Sequence, residues 1–129
     1  MNNLIDTNFV IKIINREAEA INTFEQLKRQ RIFISVITIG ELSYGANKSN
    51  KKDYNMKLFG DFINDHVILN INQDTAVIYG EIKCNLVSKG QNIPENDMWL
   101  AASAIASNMK LITFDKHFSY IDDLDALIL

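Results

Sequence analysis

Cysteine is nearly absent from this chain, and so are proline and any excess of positive charge. Cys84 is the single cysteine among 129 residues, which excludes an intramolecular disulfide framework and fits a reducing compartment. No apolar run reaches membrane-spanning length and no basic segment precedes a short apolar one, so a soluble, cytoplasmic protein without a membrane partner is expected. Thirteen Lys+Arg stand against 16 Asp+Glu, for a formal net charge of -3 and a pI near 5.3. That balance argues against holding nucleic acid by bulk positive charge, unless several acids are committed to a metal. Nor is there a Gly-rich Walker loop, an internal repeat, a low-complexity tract or an interdomain linker. What remains, 47% hydrophobic and 22% charged residues, is ordinary globular composition, long enough to bury a core as a single domain over 1-129.

Short apolar runs alternate with helical patterns along the chain. Leu4-Ile5 reads as a short buried strand, followed at once by a helix that Thr7 or Asn8 could cap, with Phe9, Val10, Ile13 and Ile14 at the 3.6-residue period. Ala18 to Gln30 carries Ala20, Ile21, Phe24 and Leu27 on one face. Arg31 to Ser35 is a second strand, and Ser35 is placed to cap a helix over Val36 to Asn47 that is apolar on nearly all sides and should pack between sheet and neighbours. A polar connection through Lys52 leads to a helix from about Tyr54 to Asp65, whose expected buried stripe is Met56, Leu58, Phe59, Phe62 and Ile63. Val67 to Ile71 is a third strand. Asn72 or Asp74 caps the helix that runs to Lys89 and stops at Gly90. Pro94 opens a helix with its body at Met98 to Ser107, Leu111 to Phe114 is the fourth strand, and Ala126 to Leu129 a fifth. This alternation implies an α/β fold of three layers, a mostly parallel sheet of four to five strands with helices on both faces.

Single acids stand alone in otherwise uncharged stretches. Asp6 is the one charge from Met1 to Ile11, Glu41 the one from Ser35 to Asn47, and Asp97 the one from Asp97 to Met109. A charge among buried residues is costly unless paired or bound to a metal. The fourth strand also runs out in an acid, Asp115. Asp6 and Asp115 end strands while Glu41 and Asp97 sit near helix starts, and in a parallel sheet these positions share one edge. Gly40 and Gly45 beside Glu41, and Ala101, Ala102, Ser103, Ala104 and Ala106 after Asp97, would let those helices approach the sheet closely. Four carboxylates at one point repel one another. A hard divalent cation, Mg2+ or Mn2+, relieves that crowding and prefers oxygen ligands.

The pieces that carry these acids also carry a family likeness. Leu4-Ile-Asp-Thr-Asn8, Ile34-Ser-Val-Ile-Thr-Ile-Gly-Glu-Leu-Ser-Tyr-Gly-Ala46, Tyr79-Gly-Glu-Ile82, Gly90-Gln-Asn-Ile93, Asp97-Met-Trp-Leu-Ala-Ala102 and Leu111-Ile-Thr-Phe-Asp-Lys-His-Phe118 occur in the order found in PIN domains. The chain resembles the VapC-type toxin ribonucleases of bacterial toxin-antitoxin pairs over essentially its whole length. The resemblance implies a metal-dependent endoribonuclease whose catalytic, metal-holding acids are Asp6, Glu41 and Asp97, with Asp115 at the more variable fourth position. It also implies supporting roles for Asn8, beside the first acid, and for the Thr113 hydroxyl near the metal. An RNA substrate, a VapB-like antitoxin whose C-terminal segment covers the acidic groove, and a homodimer follow from the same likeness.

Other assignments are weaker on the residues. A receiver-like Mg2+-binding signalling module would need an acid ending the third strand, and Val67 to Ile71 offers none. A haloacid-dehalogenase-like phosphatase would need an acid where Asn8 stands. A PIN fold kept only as a silent interaction surface would have no use for all four acids. Cys84 is expected to be a packed thiol among Ile82, Leu86 and Val87, His66 a surface residue, and Trp99 a core filler. His117 lies close enough to Asp115 to reach a shared ion but is given no role by the resemblance. Lys28, Arg29, Arg31, Lys48, Lys51 and Lys52 are expected to be solvated surface rather than an RNA track.

Overall fold

Consecutive residues of each central strand point to opposite faces, and here both faces are apolar. Leu4 and Ile5, Phe33 and Ile34, and Leu111 and Ile112 each divide between two separate buried clusters, as expected for a parallel sheet covered on both sides. The computed structural model describes residues 2–129. Its strands are β1 (Asn2–Ile5), β2 (Arg31–Ser35), β3 (Val67–Leu69), β4 (Lys110–Thr113) and β5 (Ala126–Ile128). All pairings are parallel, in the order β3-β2-β1-β4-β5.

Among the described residues six α-helices fill the first three connections: α1 (Thr7–Ile14), α2 (Ala18–Leu27), α3 (Val36–Lys48), α4 (Lys52–Asn64), α5 (Gln73–Ser88) and α6 (Glu95–Ala106). Phe9, Val10 and Ile13 of α1, Ala20 and Phe24 of α2 and Leu42 of α3 bury against Ile5, Ile34 and Ile112, and α4 adds Phe59, Phe62 and Ile63 at the margin. On the opposite face, Ile82 and Leu86 of α5 and the small-residue run of α6 pack on Leu4, Phe33 and Leu111. The result is the expected three-layer arrangement. The strand order does not match the 2-1-3-4-5 order of receiver domains, which removes that rival on topology as well as on residues.

Local chemistry accounts for most boundaries. Ser35 accepts from the Ile37 amide at the start of α3 and Asn72 from the Thr75 amide at the start of α5. Gly90 ends α5 at φ +69, its amide donating to the Val87 carbonyl, a conformation that costs a glycine little. Pro94 occupies the cap position of α6, one residue ahead of its first turn.

Several expectations fail for identifiable reasons. Neither Thr7 nor Asn8 caps α1; Asp6 does, accepting from the Phe9 amide at 2.8 Å. β3 stops at Leu69 because its partner β2 ends at Ser35, the cap of α3, and offers Asn70 and Ile71 no further ladder. The outer side of α3 is uncovered, with Tyr44 67% exposed, so apolar composition there does not mean burial. The α4 stripe is only half-buried and Met56 is exposed. Gly40 and Gly45 have open space where a side chain would stand, so close approach does not demand them. Ala101 to Ala104 of α6, by contrast, are buried.

A candidate metal centre at the strand-order switch

The sheet reverses direction of growth at β1 and β4: the chain lays strands outward from β1 to β3, then restarts on the other side of β1. In open α/β sheets that reversal opens a crevice at the carboxyl ends of the strands. Asp6 follows β1 and Asp115 comes two residues after β4, so both flank the crevice. The Asp6 amide donates to the Ile112 carbonyl at 3.3 Å, tying its backbone to β4. Phe114 stacks on Phe9 with ring centroids 5.7 Å apart, which pins the end of β4 to α1. Glu41 reaches the crevice from the second turn of α3 and Asp97 from the first turn of α6.

All four acids line one cavity of about 370 Å3, together with Thr7, Asn8, Pro94, Glu95, Asn96 and Phe118. A roomier cleft of about 700 Å3 lies between α1, α2 and α4, but it collects Ile14, Phe24, Leu58 and Phe62 with scattered charges. Volume alone does not make a chemical site; converging carboxylates do.

Each acid is held by its own partners. Asp6, 4% exposed, accepts from the Phe9 amide through Oδ1 and from the Thr113 hydroxyl through Oδ2. The Thr113 oxygen in turn accepts from the Asp115 amide at 2.9 Å, so one buried hydroxyl links the first acid to the fourth. Thr7 donates to Glu41 Oε1 at 2.7 Å, its hydroxyl 3.0 Å from that of Thr38. His117 lies between the remaining two, Nε2 2.9 Å from Asp97 Oδ2 and Nδ1 3.0 Å from Asp115 Oδ1. Asn8 lines the cavity, but among the described residues its side chain makes no hydrogen bond to Asp6; that support comes from Thr113. The sequence offered Thr7 only as a helix cap, and it placed His117 near enough to Asp115 to reach a shared ion without giving it a role.

Electrostatics follow from burial and crowding. Desolvation pushes the Asp6 carboxyl from 3.8 up to about 6, against the hydrogen bonds from Thr113 and Phe9 and with the repulsion of Asp97 and Asp115 behind it. Asp97 is also raised, first by burial and then by Glu41 and Asp115, with His117 opposing. Among the described residues no Lys or Arg pairs with any of the four acids. Ligand atoms of Asp97, Asp115 and His117 lie within 4.8 Å of one another. This donor set, mostly carboxylate oxygen with no side-chain ammonium or guanidinium to neutralise it, fits a divalent cation.

Fold, switch-point site and sequence agree with one family: residues 4–124 match the PIN domain, and the chain belongs to it. Within that family its relatives are VapC proteins. It is 36% identical over 124 residues to Ribonuclease VapC2 of Rickettsia felis, covering 94% of this chain and 92% of that protein. It is 31% identical over 110 residues to the tRNA(fMet)-specific endonuclease VapC of Salmonella typhimurium, covering 85% and 83%. A chain in the crystal structure of VapBC2 from Rickettsia felis, bound to a DNA fragment from their promoter, superposes with a TM-score of 0.93 at 32% identity, covering 100% of this chain and 99% of that one.

Proposed function

We propose that this protein is a metal-dependent endoribonuclease, the toxin of a toxin-antitoxin pair. The observation that carries the reading is the gathering of four carboxylates around one cavity, with no lysine or arginine paired to them among the described residues, at the switch point of a PIN fold. Asp6, Glu41, Asp97 and Asp115 would hold Mg2+ or Mn2+. When bound, such an ion polarises a phosphodiester, lowers the pKa of a water and offsets charge at the breaking bond. The rest is the work of the chain. Thr113 and the Phe9 amide fix both oxygens of Asp6, and Thr7 fixes Glu41, so the acids need little reordering before substrate arrives. The Thr113 and Phe9 donors also hold the Asp6 carboxyl down, so that it is mostly ionised at neutral pH despite its burial. The uncompensated acids repel a phosphate backbone until the cation is in place, which makes RNA engagement depend on loading.

The VapC names of the relatives support RNA as substrate, and the VapBC complexes support a small VapB-like antitoxin as partner. The homodimer belongs to the same proposal, and side chains such as Tyr44 and Tyr54 give it apolar surface to use. Among the described residues no helix is long and apolar enough to cross a membrane, and the exposed, unpaired Cys84 suits the reducing cytoplasm. The test is cleavage of RNA by purified protein with Mg2+ or Mn2+ against the same protein in chelator, alongside Asp97→Asn. Cleavage that survives both chelation and the substitution would reject the mechanism.

A further inference from the structure

His117 is held in place more firmly than a loop residue needs to be. Asp115 caps the 3-10 turn Lys116–Tyr120, accepting from the His117 amide at 3.1 Å. The ring packs against buried Phe118, centroids 5.0 Å apart. Nδ1 faces Asp115 Oδ1 and Nε2 faces Asp97 Oδ2. Two neighbouring donors on an octahedral ion with bonds near 2.1 Å stand about 3 Å apart, and the Nε2 to Oδ2 separation is 2.9 Å. The other nitrogen lies against a carboxylate, the arrangement that fixes the tautomer and orientation of a ligating imidazole.

From this geometry we infer that His117 Nε2 is a direct metal donor beside Asp97, oriented by Asp115, and that this nitrogen tilts the site toward Mn2+ over Mg2+. Imidazole is a softer donor than carboxylate, so it adds more to the affinity of a transition ion than to that of Mg2+. Asp115 then has two tasks: Oδ1 orients the ring, while Oδ2, which carries no hydrogen bond among the described residues, remains free for the ion. The inference rests on the proposed metal site and adds the nature of one ligand and the choice of ion.

Mn2+ bound to tag-free protein, read by pulsed electron paramagnetic resonance, should carry the nitrogen coupling of one coordinated imidazole, and H117Q should lose it. His66, the other histidine, lies in the cleft between α1, α2 and α4, so a nitrogen coupling that survives H117Q comes from elsewhere and overturns the inference. In calorimetric titrations H117Q should weaken Mn2+ binding by about tenfold or more and change Mg2+ binding much less. Mn2+ that binds wild type without nitrogen coupling overturns the inference and leaves the carboxylate site standing. Failure of Mn2+ to bind at all overturns both. Tighter binding of both ions by H117Q also overturns it, because the ring would then be a counter-cation that the metal displaces. The wild-type spectrum decides the point even where H117Q folds poorly.

Discussion

Replacing Asp6 with Asn should stabilise the metal-free protein while abolishing its proposed chemistry. Asn is the neutral form of the same shape and a good N-cap, so it keeps an acceptor for the Phe9 amide and removes the ionisation that burial disfavours. The folded-state pKa of about 6 stands above the ordinary 3.8. A raised acid adds its stability below the unfolded value and loses it as pH climbs through the folded one. As pH climbs from about 3 to about 8 the wild type should therefore give up about 3 kcal/mol in total, the shift converted at 1.36 kcal/mol per pH unit, and D6N should not. For a chain of this length each kcal/mol moves Tm by about 4 °C. In chelator at pH 7.5, D6N should melt about 10 °C above wild type, and near pH 3.5 the two should nearly coincide. Adding Mn2+ should narrow the gap at pH 7.5 by stabilising wild type alone. Thermal melts across pH 3.5 to 8, with and without ion, measure all of this. A D6N that is no more stable than wild type at pH 7.5, or whose advantage does not shrink in acid, refutes the idea that Asp6 is held in the fold against its own desolvation.

Other substitutions probe the neighbours. Thr113→Val keeps the shape but removes the donor to Asp6 and strands the Asp115 amide. A hydrogen bond to a charged group contributes about 1.5–3 kcal/mol, so the Asp6 carboxyl should titrate one to two units higher by NMR and the RNase pH profile should move alkaline with it. Glu41→Gln and Asp97→Asn should each cut RNA cleavage by about 100-fold or more with circular dichroism unchanged; residual rates near wild type would remove those acids from the mechanism. Phe9→Ala opens a fully buried site at the α1 to β4 junction and should cost about 3–5 kcal/mol in urea unfolding, with a loss under 1 kcal/mol counting against that stack as the support of the site.

Much of this architecture was legible because strand runs and helical stripes alternate cleanly. Asp6, Glu41 and Asp97 stood out because each is the one charge in its stretch, and Asp115 because it follows a strand. What escaped depended on direction rather than identity. Cys84 sits two residues from Ile82, about 200° around the helix, so it faces solvent although Ile82 and Leu86 are buried. α3 is apolar enough to suggest enclosure, yet Tyr44 stays exposed, with the Lys48 ammonium 5.0 Å above its ring. Asp6 serves as both cap and site acid, and a sequence offering Asp6, Thr7 and Asn8 in a row does not say which of them turns inward. His117 meets an acid 20 residues earlier only because α6 and the turn after β4 end at the same crevice, and no local pattern encodes that meeting.

The sheet ends in β3 and β5, three residues each. A visiting extended peptide would find at most three residues of ladder on either border, too little for strand addition to supply much affinity. Helices and the acidic crevice offer a partner protein more surface to grip. An inhibitor that fills the crevice would block the proposed chemistry directly, without having to remodel the sheet.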